Sequence, residues 1–548
     1  MSVSLEFEHF IGSNAIPAGI EFHPNGTNYI VASGGNIVVG DLTNPLVQDF
    51  LRKHDDQVTC ISLSRTGKYF ASGQKGNNSN IHIWDFPSSK LLFSLEEHDH
   101  YVQCVAFSDD EKLLVSIGSS EDRKIVAWDM SNGCIVASCG KIPNETLCIA
   151  HGGFVRDIKR RDIDHYQIAT GGKDGILVWD LDPFSGEIKS SPVSGDTRAT
   201  VTRSITTIIF SENREQLFAG TTSGDYVIAS VKHLRILQVV QATKMGLCSM
   251  LAYNNGVVVG CRDSTIKFFD DGGRLSMEAK LDGAVLGISF SFNRRELLAL
   301  TGNGTVFRVN AANGQSIIIS ESHTKSVVAV AYAIGQSDRF ATASSDGTIR
   351  VWDATEYAVL VVAVSRREQG WGATPHCLAF QDILFSGWSD GRVLAHSAET
   401  GANLWFIDNA HLGGVTALTL SHNKRFLLTG GAGGEVRLWE LRSRELVSHL
   451  KEHAQKITAL ALFNDDMMAV SASRDRCLLR WNLKSERRVH CHTQRMGGIN
   501  CVVIGKDERQ ILTVGQEKRL VYWDNTQSEP SRQIFLDGDF DEGKAVAV

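Results

Sequence analysis

The chain has 548 residues, of which 43% are hydrophobic and 21% charged, as in an ordinary globular protein. Its net charge of −7 and isoelectric point near 6.2 argue against nucleic-acid binding through a global positive field. The N-terminus is acidic without an apolar core, and the apolar runs are too short for a bilayer, so neither a signal peptide nor a membrane span is expected.

In chain order, the main feature is a repeat with a period near 43 residues. The ends of its candidate third strands lie 40 to 51 residues apart: Asp41, Asp85, Asp129, Asp180, Ser230, Asp270, Asn310, Asp353, Ser397, Glu440, Asn482 and Asp524. Such a period is typical of four-stranded propeller blades. The sequence therefore predicts an all-β fold of twelve blades.

Twelve blades exceed the four to eight of a usual ring, so two tandem propellers are predicted. The first predicted propeller comprises residues 1–320 and has seven blades. The second takes residues 321–548, with five full blades and the start of a sixth at Lys544–Val548. Because a half-strand at the end would leave an open sheet edge, we expect the natural protein to continue for about two more repeats.

Insertions and basic turns mark candidate contact surfaces. Three long loops are expected at Gly76–Asn80, Asp182–Ser204 and Ser365–Thr374, and the last carries Arg366, Arg367 and Trp371. The turns between first and second strands and between third and fourth strands share one face of a propeller. Candidate partner contacts are therefore the basic pairs on such turns, together with the loop tryptophan: Arg294, Arg295, Lys424, Arg425, Arg487, Arg488 and Trp371.

The best-formed repeat lies at 323–353, where three short apolar runs are separated by tight turns. Its polar side chains predict a buried chain of hydrogen bonds that braces the blade. The four members are His323, Thr342, Asp346 and Trp352. A later blade repeats the set at the same spacing: His453, Ser471, Asp475 and Trp481.

Other blades carry parts of this set. The blade of Trp179 has His151, Thr170 and Asp174, that of Trp439 has His411 and Thr429 with Gly433, and that of Trp84 has His54 and Ser72 with Asn78. Because the set recurs at one structural position, a buried brace explains it better than a catalytic triad. No catalytic residues are predicted.

The eleven cysteines contain no Cys-X-X-Cys pair, which favours reduced thiols in a cytosolic compartment. Cys491 stands between His490 and His492, a pattern that could hold a metal ion. A strand end or turn explains it more simply. No metal and no cofactor are predicted.

The blade pattern resembles the WD40 repeat. Residues 53–86, 385–411 and 413–440, with the runs SGWSDG, NAH and GGAGGEVRLW, are also similar to the cilia- and flagella-associated WD-repeat family of the axonemal doublet microtubule. That resemblance implies a tandem pair of seven-bladed propellers, and a microtubule inner protein bound to tubulin inside the B-tubule. The family has no catalytic residues, and its binding residues are not defined by a motif.

Three classes of function were compared. A structural scaffold of the ciliary axoneme is favoured, with tubulin and other inner proteins as partners and no nucleic acid, membrane or small-molecule substrate. It would be cytoplasmic before assembly. The alternative is a cytosolic or nuclear double-propeller scaffold of the actin-regulatory or ribosome-assembly type. A propeller enzyme would need a metal cluster or paired carboxylates, and the sequence shows neither.

Overall fold

The computed structural model describes residues 9–13, 15–140, 142, 145–156, 162–195, 204–333, 337–364, 372–494, 497–524, 529–536 and 543–545. These residues form twelve sheets of four antiparallel strands, each built from four consecutive strands. We number the sheets as blades 1 to 12. No helix able to cross a membrane occurs among the described residues. The chain divides into two compact units, Met1–Thr324 and Lys325–Val548, four residues beyond the predicted boundary.

The first unit contains blades 1 to 7. Their strands, four to a blade, are β1 Ile20–Phe22, β2 Asn28–Ser33, β3 Asn36–Asp41, β4 Gln48–Arg52; β5 Val58–Leu63, β6 Tyr69–Gln74, β7 Ser79–Asp85, β8 Lys90–His98; β9 Val102–Phe107, β10 Leu113–Gly118, β11 Ile125–Asp129, β12 Ile135–Cys139; β13 Thr146–Arg156, β14 Asp162–Gly172, β15 Gly175–Leu181, β16 Ile188–Pro192; β17 Ile205–Phe210, β18 Gln216–Thr221, β19 Asp225–Ser230, β20 Arg235–Gln241; β21 Leu247–Tyr253, β22 Gly256–Cys261, β23 Thr265–Phe269, β24 Leu275–Lys280; β25 Val285–Phe290, β26 Glu296–Thr301, β27 Val306–Asn310 and β28 Ser316–Ser320.

The second unit contains blades 8 to 12. Their strands are β29 Val327–Tyr332, β30 Arg339–Ser344, β31 Thr348–Asp353, β32 Val359–Val364; β33 Pro375–Phe380, β34 Ile383–Trp388, β35 Val393–Ser397, β36 Asn403–Ile407; β37 Val415–Leu420, β38 Phe426–Gly431, β39 Glu435–Glu440, β40 Leu446–Lys451; β41 Ile457–Leu462, β42 Met468–Ser473, β43 Cys477–Asn482, β44 Arg487–Thr493; β45 Ile499–Ile504, β46 Gln510–Gly515, β47 Arg519–Asp524 and β48 Pro530–Phe535.

Burial changes across each blade. Second strands such as β10 are buried on both faces, because neighbouring blades cover them on either side. Fourth strands such as β8 and β40 alternate between buried and exposed residues at the rim. The repeat of about 43 residues therefore buries a continuous stack of sheets, since one sheet alone could not cover its apolar faces.

The first unit closes into a ring of seven blades. The strand β1 packs against β25 and β26 of blade 7, as other first strands pack against those of the preceding blade. A shared apolar cluster joins Ile20 and Tyr29 of blade 1 to Leu298 and Leu300 of blade 7. Closure thus comes from face packing, because every sheet keeps its own four consecutive strands.

A buried acid lies at this closure. The Ser289 hydroxyl donates to Glu21 Oε2 (2.8 Å) and accepts the Phe22 N–H (2.9 Å). Burial raises the pKa of Glu21 from its usual 4.5 to about 7. Because the folded-state pKa lies above the unfolded one, the neutral acid favours folding below pH 4.5. That contribution is lost as pH rises through 7.

We therefore expect Glu21→Gln to raise the melting temperature of the first unit at pH 8 and to leave it nearly unchanged at pH 5. The amide carbonyl still accepts from Ser289 but cannot ionise. Thermal unfolding of the full chain at both pH values measures this, with exposed Glu96→Gln of the same unit as the control. An equal shift at the two pH values would contradict the assignment.

The second unit is an arc of five consecutive blades. Apolar side chains on its first strand are exposed: Val327 by 48%, Val330 by 59% and Tyr332 by 60%. In blade 10 the matching Val415 and Leu420 are buried. The difference arises because a preceding blade covers Val415 and Leu420, whereas within the second unit blade 8 is the first of the series.

In blades 10, 11 and 12 a side chain at the second position of the first strand donates a hydrogen bond to the chain that follows the blade. The Thr416 hydroxyl donates to the Ile457 carbonyl (2.5 Å), and the Thr458 hydroxyl donates to the Ile499 carbonyl (2.7 Å). In the same way, the Asn500 amide donates to the Gly543 carbonyl (2.7 Å). Gly543 therefore takes the position in which the first residue of a following blade lies.

Candidate functional site

Among the described residues, the complete polar brace is seen in blades 11 and 3. In blade 11, His453 Nδ1 lies 2.9 Å from Asp475 Oδ2, and His453 Nε2 lies 2.8 Å from the Ser471 hydroxyl. The Trp481 indole N–H donates to the same hydroxyl (2.8 Å). His453 lies in the loop that enters the blade before its first strand, and we call this the entry loop. His453 and Ser471 are buried, so these bonds tie the entry loop to the second and third strands in a water-poor environment.

Blade 3 has the same brace, which the sequence reasoning missed. His98 bonds Asp122 through Nδ1 and the Ser116 hydroxyl through Nε2 (2.8 Å), and Trp128 donates to Ser116 (2.9 Å). The turn before the third strand is two residues longer here, which moves the aspartate from four to six residues after the hydroxyl. The signal was the His–Ser–Trp spacing of 18 and 12 residues, as in blade 2.

Blade 2 corrects one assignment. The position expected to hold the acid is Asn78, but His54 Nδ1 bonds the Gln74 side chain (2.8 Å) instead. His54 Nε2 still bonds Ser72 (2.7 Å), which accepts from Trp84 (2.9 Å). Gln74, at the end of the second strand, thus replaces the acidic side chain that was expected from the turn.

Blade 4 corrects another. His151 lies within β13, opposite Ile168, and its Nδ1 accepts the Gly153 N–H (3.1 Å). The Trp179 indole donates to Thr170 (2.8 Å) without it. His151 is therefore not the brace histidine, because β13 is extended by bulges and carries it away from the entry loop.

The remaining braces are partial. In blade 10, His411 Nε2 lies 2.8 Å from the Thr429 hydroxyl, to which Trp439 donates (2.9 Å). In blade 12 the Trp523 indole donates to Thr513 (2.7 Å). Both blades therefore keep the indole–hydroxyl pair of the brace.

In blade 8 the Trp352 indole donates to Thr342 (2.7 Å). The Asp346 carboxylate accepts from the Thr348 N–H (2.8 Å) and hydroxyl (2.6 Å), so it caps its own turn. His323 belongs to the first unit and the other members to the second. Its contact with them stays a prediction.

In blade 9 the indole that donates to the hydroxyl comes from a different strand. His396 occupies the position that tryptophan holds in other third strands, opposite Leu384. The tryptophan comes instead from the end of the second strand, where Trp388 is fully buried and donates to the Ser386 hydroxyl (2.8 Å). The SGWSDG run therefore supplies the indole from the second strand, the same strand that carries the hydroxyl.

We expect Ser471→Ala to lower the free energy of unfolding of the second unit by about 1–3 kcal/mol, because His453 and Trp481 both lose a buried partner. Urea unfolding measures it. The control is Ser485→Ala on an exposed turn of the same blade, which should change stability by less than about 0.5 kcal/mol. Equal effects would show that the brace adds nothing.

The histidines around Cys491 do not converge on one point. His490 and His492 stack with ring centroids 6.1 Å apart, and His492 is buried beside Trp523. Within the described part of the chain, no group of three or more histidine, cysteine or acidic side chains is arranged to hold a metal ion.

The turns between first and second strands form interblade links. Glu508 and Asp466 lie at left-handed turn positions with φ of 56° and 55°. The Glu508 carboxylate accepts the Asn464 N–H (2.6 Å) of the preceding blade, and Asp466 accepts the His422 and Asn423 N–H groups (2.8 Å each). These links hold the turn side of each blade to its neighbour.

Most of the basic turn residues have acidic partners within the chain. The pairs are Arg294 with Glu212, Lys424 with Asp382 (2.9 Å), Arg425 with Glu440 (3.9 Å) and Arg488 with Glu452 (2.6 Å). Exposed pairs of this kind contribute little stability, but they reduce the positive field of the turn face. The sequence alone did not show these pairs, because three of the four partners lie 36 to 82 positions away in the chain.

Two basic residues remain available. Arg295 and Arg487 are exposed, and neither has an acidic partner within ion-pair distance among the residues that the structure describes. The remaining candidate contact, Trp371, lies outside the described residues, as do Arg366 and Arg367 of the same loop. Of the six basic candidates, Arg295 and Arg487 are therefore the two whose charge no such pair offsets.

Comparisons with known proteins agree with the blade assignment. A family model described as "WD domain, G-beta repeat" matches residues 46–85, 89–129, 314–353, 404–440 and 444–482. Each matched segment ends where a third strand ends. The family model thus finds the best-formed blades in both units.

Several relatives align along nearly the whole chain. Cilia- and flagella-associated protein 52 of Bos taurus is 28% identical over 97% of this chain and 85% of its own length. The protein of the same name from Chlamydomonas reinhardtii is 29% identical over the full chain and 88% of its own length. The Homo sapiens protein is 27% identical over 95% and 83%.

Proposed function

We propose that this chain, which contains WD40 repeats and is similar along nearly its full length to cilia- and flagella-associated proteins, is a non-catalytic scaffold of the cilium or flagellum. The observation that carries the proposal is the near-complete alignment with relatives of that name. The repeated brace supports it, because each His–Asp–Ser set is largely buried within one blade, where it joins the loop before the first strand to the second and third strands.

At finer detail, the proposed site of action is the axonemal doublet, where the chain would be a microtubule inner protein of the B-tubule, supporting axoneme stability and motility. Its partners would be tubulin and neighbouring inner proteins. Tubulin is strongly acidic, and a long-lived lattice contact needs many modest interactions. Basic turns on a rigid propeller suit such a contact, because several weak charge pairs act together and fix orientation.

The candidate contacts remain six basic residues. Arg294, Arg295, Lys424 and Arg425 lie on turns, whereas Arg487 and Arg488, predicted on a turn, are the first residues of β44. Four of them have internal partners, so we expect Arg295 and Arg487 to contribute most to an acidic surface. Being at the rim in water, each should contribute modestly and be weakened by salt.

The test expresses the tagged full chain in ciliated cells and measures its co-sedimentation with stabilised microtubules and with actin filaments. We expect localisation along the axoneme and binding to microtubules that weakens as salt rises. Nuclear localisation, or co-sedimentation with actin alone, would overturn the proposal in favour of a different interaction scaffold.

The double variant Arg295→Glu with Arg487→Glu should reduce microtubule binding without changing the melting temperature. The matched control is Lys75→Glu with Arg262→Glu, which lie exposed on turns between second and third strands, at the opposite end of the blades. Equal losses in both variants would show a dependence on net charge only. A larger loss in the control would assign binding to the other face.

A further inference from the structure

Two thiols share one face of the outer strand pair in blade 11. The strands β43 and β44 run antiparallel, with Cys477 opposite Thr493 and Leu479 opposite Cys491. Cys477 and Cys491 are therefore diagonal neighbours on the same face of the sheet. The Thr493 hydroxyl oxygen lies 3.9 Å from Cys477 Sγ and 3.8 Å from Cys491 Sγ. One side chain thus touches both sulfurs.

This pair is more accessible than the other clustered cysteines. Cys477 and Cys491 are half-buried, Thr493 is exposed, and β44 is the outermost strand of its sheet. By contrast, Cys248 and Cys261 are buried in the core of the first unit. All eleven cysteines are free thiols. A small reagent should therefore reach the outer pair first.

The surroundings distinguish the two thiols. Burial, the Asp475 carboxylate and the neighbouring Cys491 together raise the pKa of Cys477. Since the thiolate is the nucleophile, Cys477 is disfavoured as the first thiol to attack. The first attack therefore falls to Cys491, on the strand that has a free edge.

We propose that Cys477 and Cys491 form a dithiol modification site that low-molecular-weight disulfides convert into a cross-strand disulfide. Diagonal residues of a sheet have Cα atoms about 7–8 Å apart, whereas a disulfide needs about 4.4–6.8 Å. The two Cα atoms must therefore come about 1 Å closer, through a shift of β44 along β43. The outermost strand can move this far, because it is hydrogen-bonded to β43 on one side only.

The reaction has two exchange steps. The Cys491 thiolate attacks one sulfur of glutathione disulfide, forming a mixed disulfide and releasing one glutathione thiolate, which takes up the proton that Cys491 lost. The Cys477 sulfur then attacks Cys491 Sγ, breaks the bond to glutathione and releases the second glutathione with the Cys477 proton. Two protein thiols are oxidised, and one glutathione disulfide is reduced to two thiols.

The test treats the full chain with excess glutathione disulfide, blocks remaining thiols and maps disulfides by mass spectrometry without reduction. We expect a linked peptide pair containing Cys477 and Cys491. In Cys477→Ser, Cys491 should accumulate as the glutathione mixed disulfide, because no second thiol resolves it. In Cys491→Ser, Cys477 should remain largely reduced. The control Cys134→Ser, at an exposed lone cysteine, should leave the linked pair unchanged.

A second measurement uses phenylarsine oxide, which binds two adjacent thiols. The wild type should bind one equivalent, and either Cys477→Ser or Cys491→Ser should remove that binding. A mixed disulfide persisting at Cys491 in the wild type would overturn the proposal. So would a link to another cysteine, or arsenical binding that never proceeds to a disulfide.

Discussion

Replacing Trp388 with alanine is expected to lower the free energy of unfolding of the second unit by about 3–5 kcal/mol, the usual cost of removing a buried tryptophan. The indole is fully buried and packs with Phe380, Leu384 and Leu394 and with residues of blade 8. Its N–H also donates to Ser386 (2.8 Å). Since domains are stable by only about 5–15 kcal/mol, this is a large fraction of the total.

Urea unfolding of the full chain, with hydrogen exchange to assign the transition to the second unit, measures the effect. Trp388→Phe should cost less, about 1–3 kcal/mol, because it mainly leaves Ser386 without its donor. The matched control is Trp405→Ala in the same blade, where the ring is half-buried on the outer strand under Arg444. If both alanine variants lost the same stability, the central role of Trp388 would be wrong.

Acid is expected to destabilise the second unit between pH 6.5 and pH 4. Burial lowers the pKa of His396 and of His411 from the usual 6.5 to about 4. At His411 the nearby Arg437 charge adds to this effect. His396 is fully buried, and neither of its ring nitrogens has a hydrogen-bond partner among the described residues. Both histidines are therefore neutral in the folded protein at pH 7.

Unfolding takes up protons in this pH range, so acid lowers the stability of the second unit. Because the folded-state pKa lies below the unfolded one, the unfolded chain binds more protons between pH 6.5 and 4, and stability is lost as pH falls through that window. At pH 5 each buried histidine should cost roughly 2 kcal/mol relative to pH 8. Denaturant midpoints at the two pH values measure the sum.

His396→Leu tests the assignment. The variant should recover about 2 kcal/mol at pH 5 relative to the wild type, with a smaller change at pH 8, because leucine cannot be protonated. Exposed His233→Asn, on a turn of the first unit, is the control and should leave the pH dependence of the second unit unchanged. An unaltered acid slope in His396→Leu would show that other groups cause it.

Much of the fold was readable in the sequence. The period near 43 residues and the recurring tryptophan give four-stranded blades, because each blade must bury both faces against its neighbours. The brace of blade 11 was also readable, since its spacing is regular. The braces of blades 2, 3 and 9 were not. In blade 2 a glutamine bonds the histidine, in blade 3 an aspartate displaced by a two-residue insertion does so, and in blade 9 a relocated tryptophan donates to the hydroxyl.

By itself, the sequence determined local quantities: the strand period, the turns and the side chains available to each blade. These features depend on residues close together in the sequence, and they do not depend on how distant parts of the chain pack. The tertiary structure alone decided how the first ring closes through β1 and β25, and which basic residues pair with acids. Most of these pairings join residues far apart in the sequence, as in Ser289 with Glu21, which are 268 positions apart. No local pattern encodes them, because they form only when blades from distant parts of the chain pack side by side.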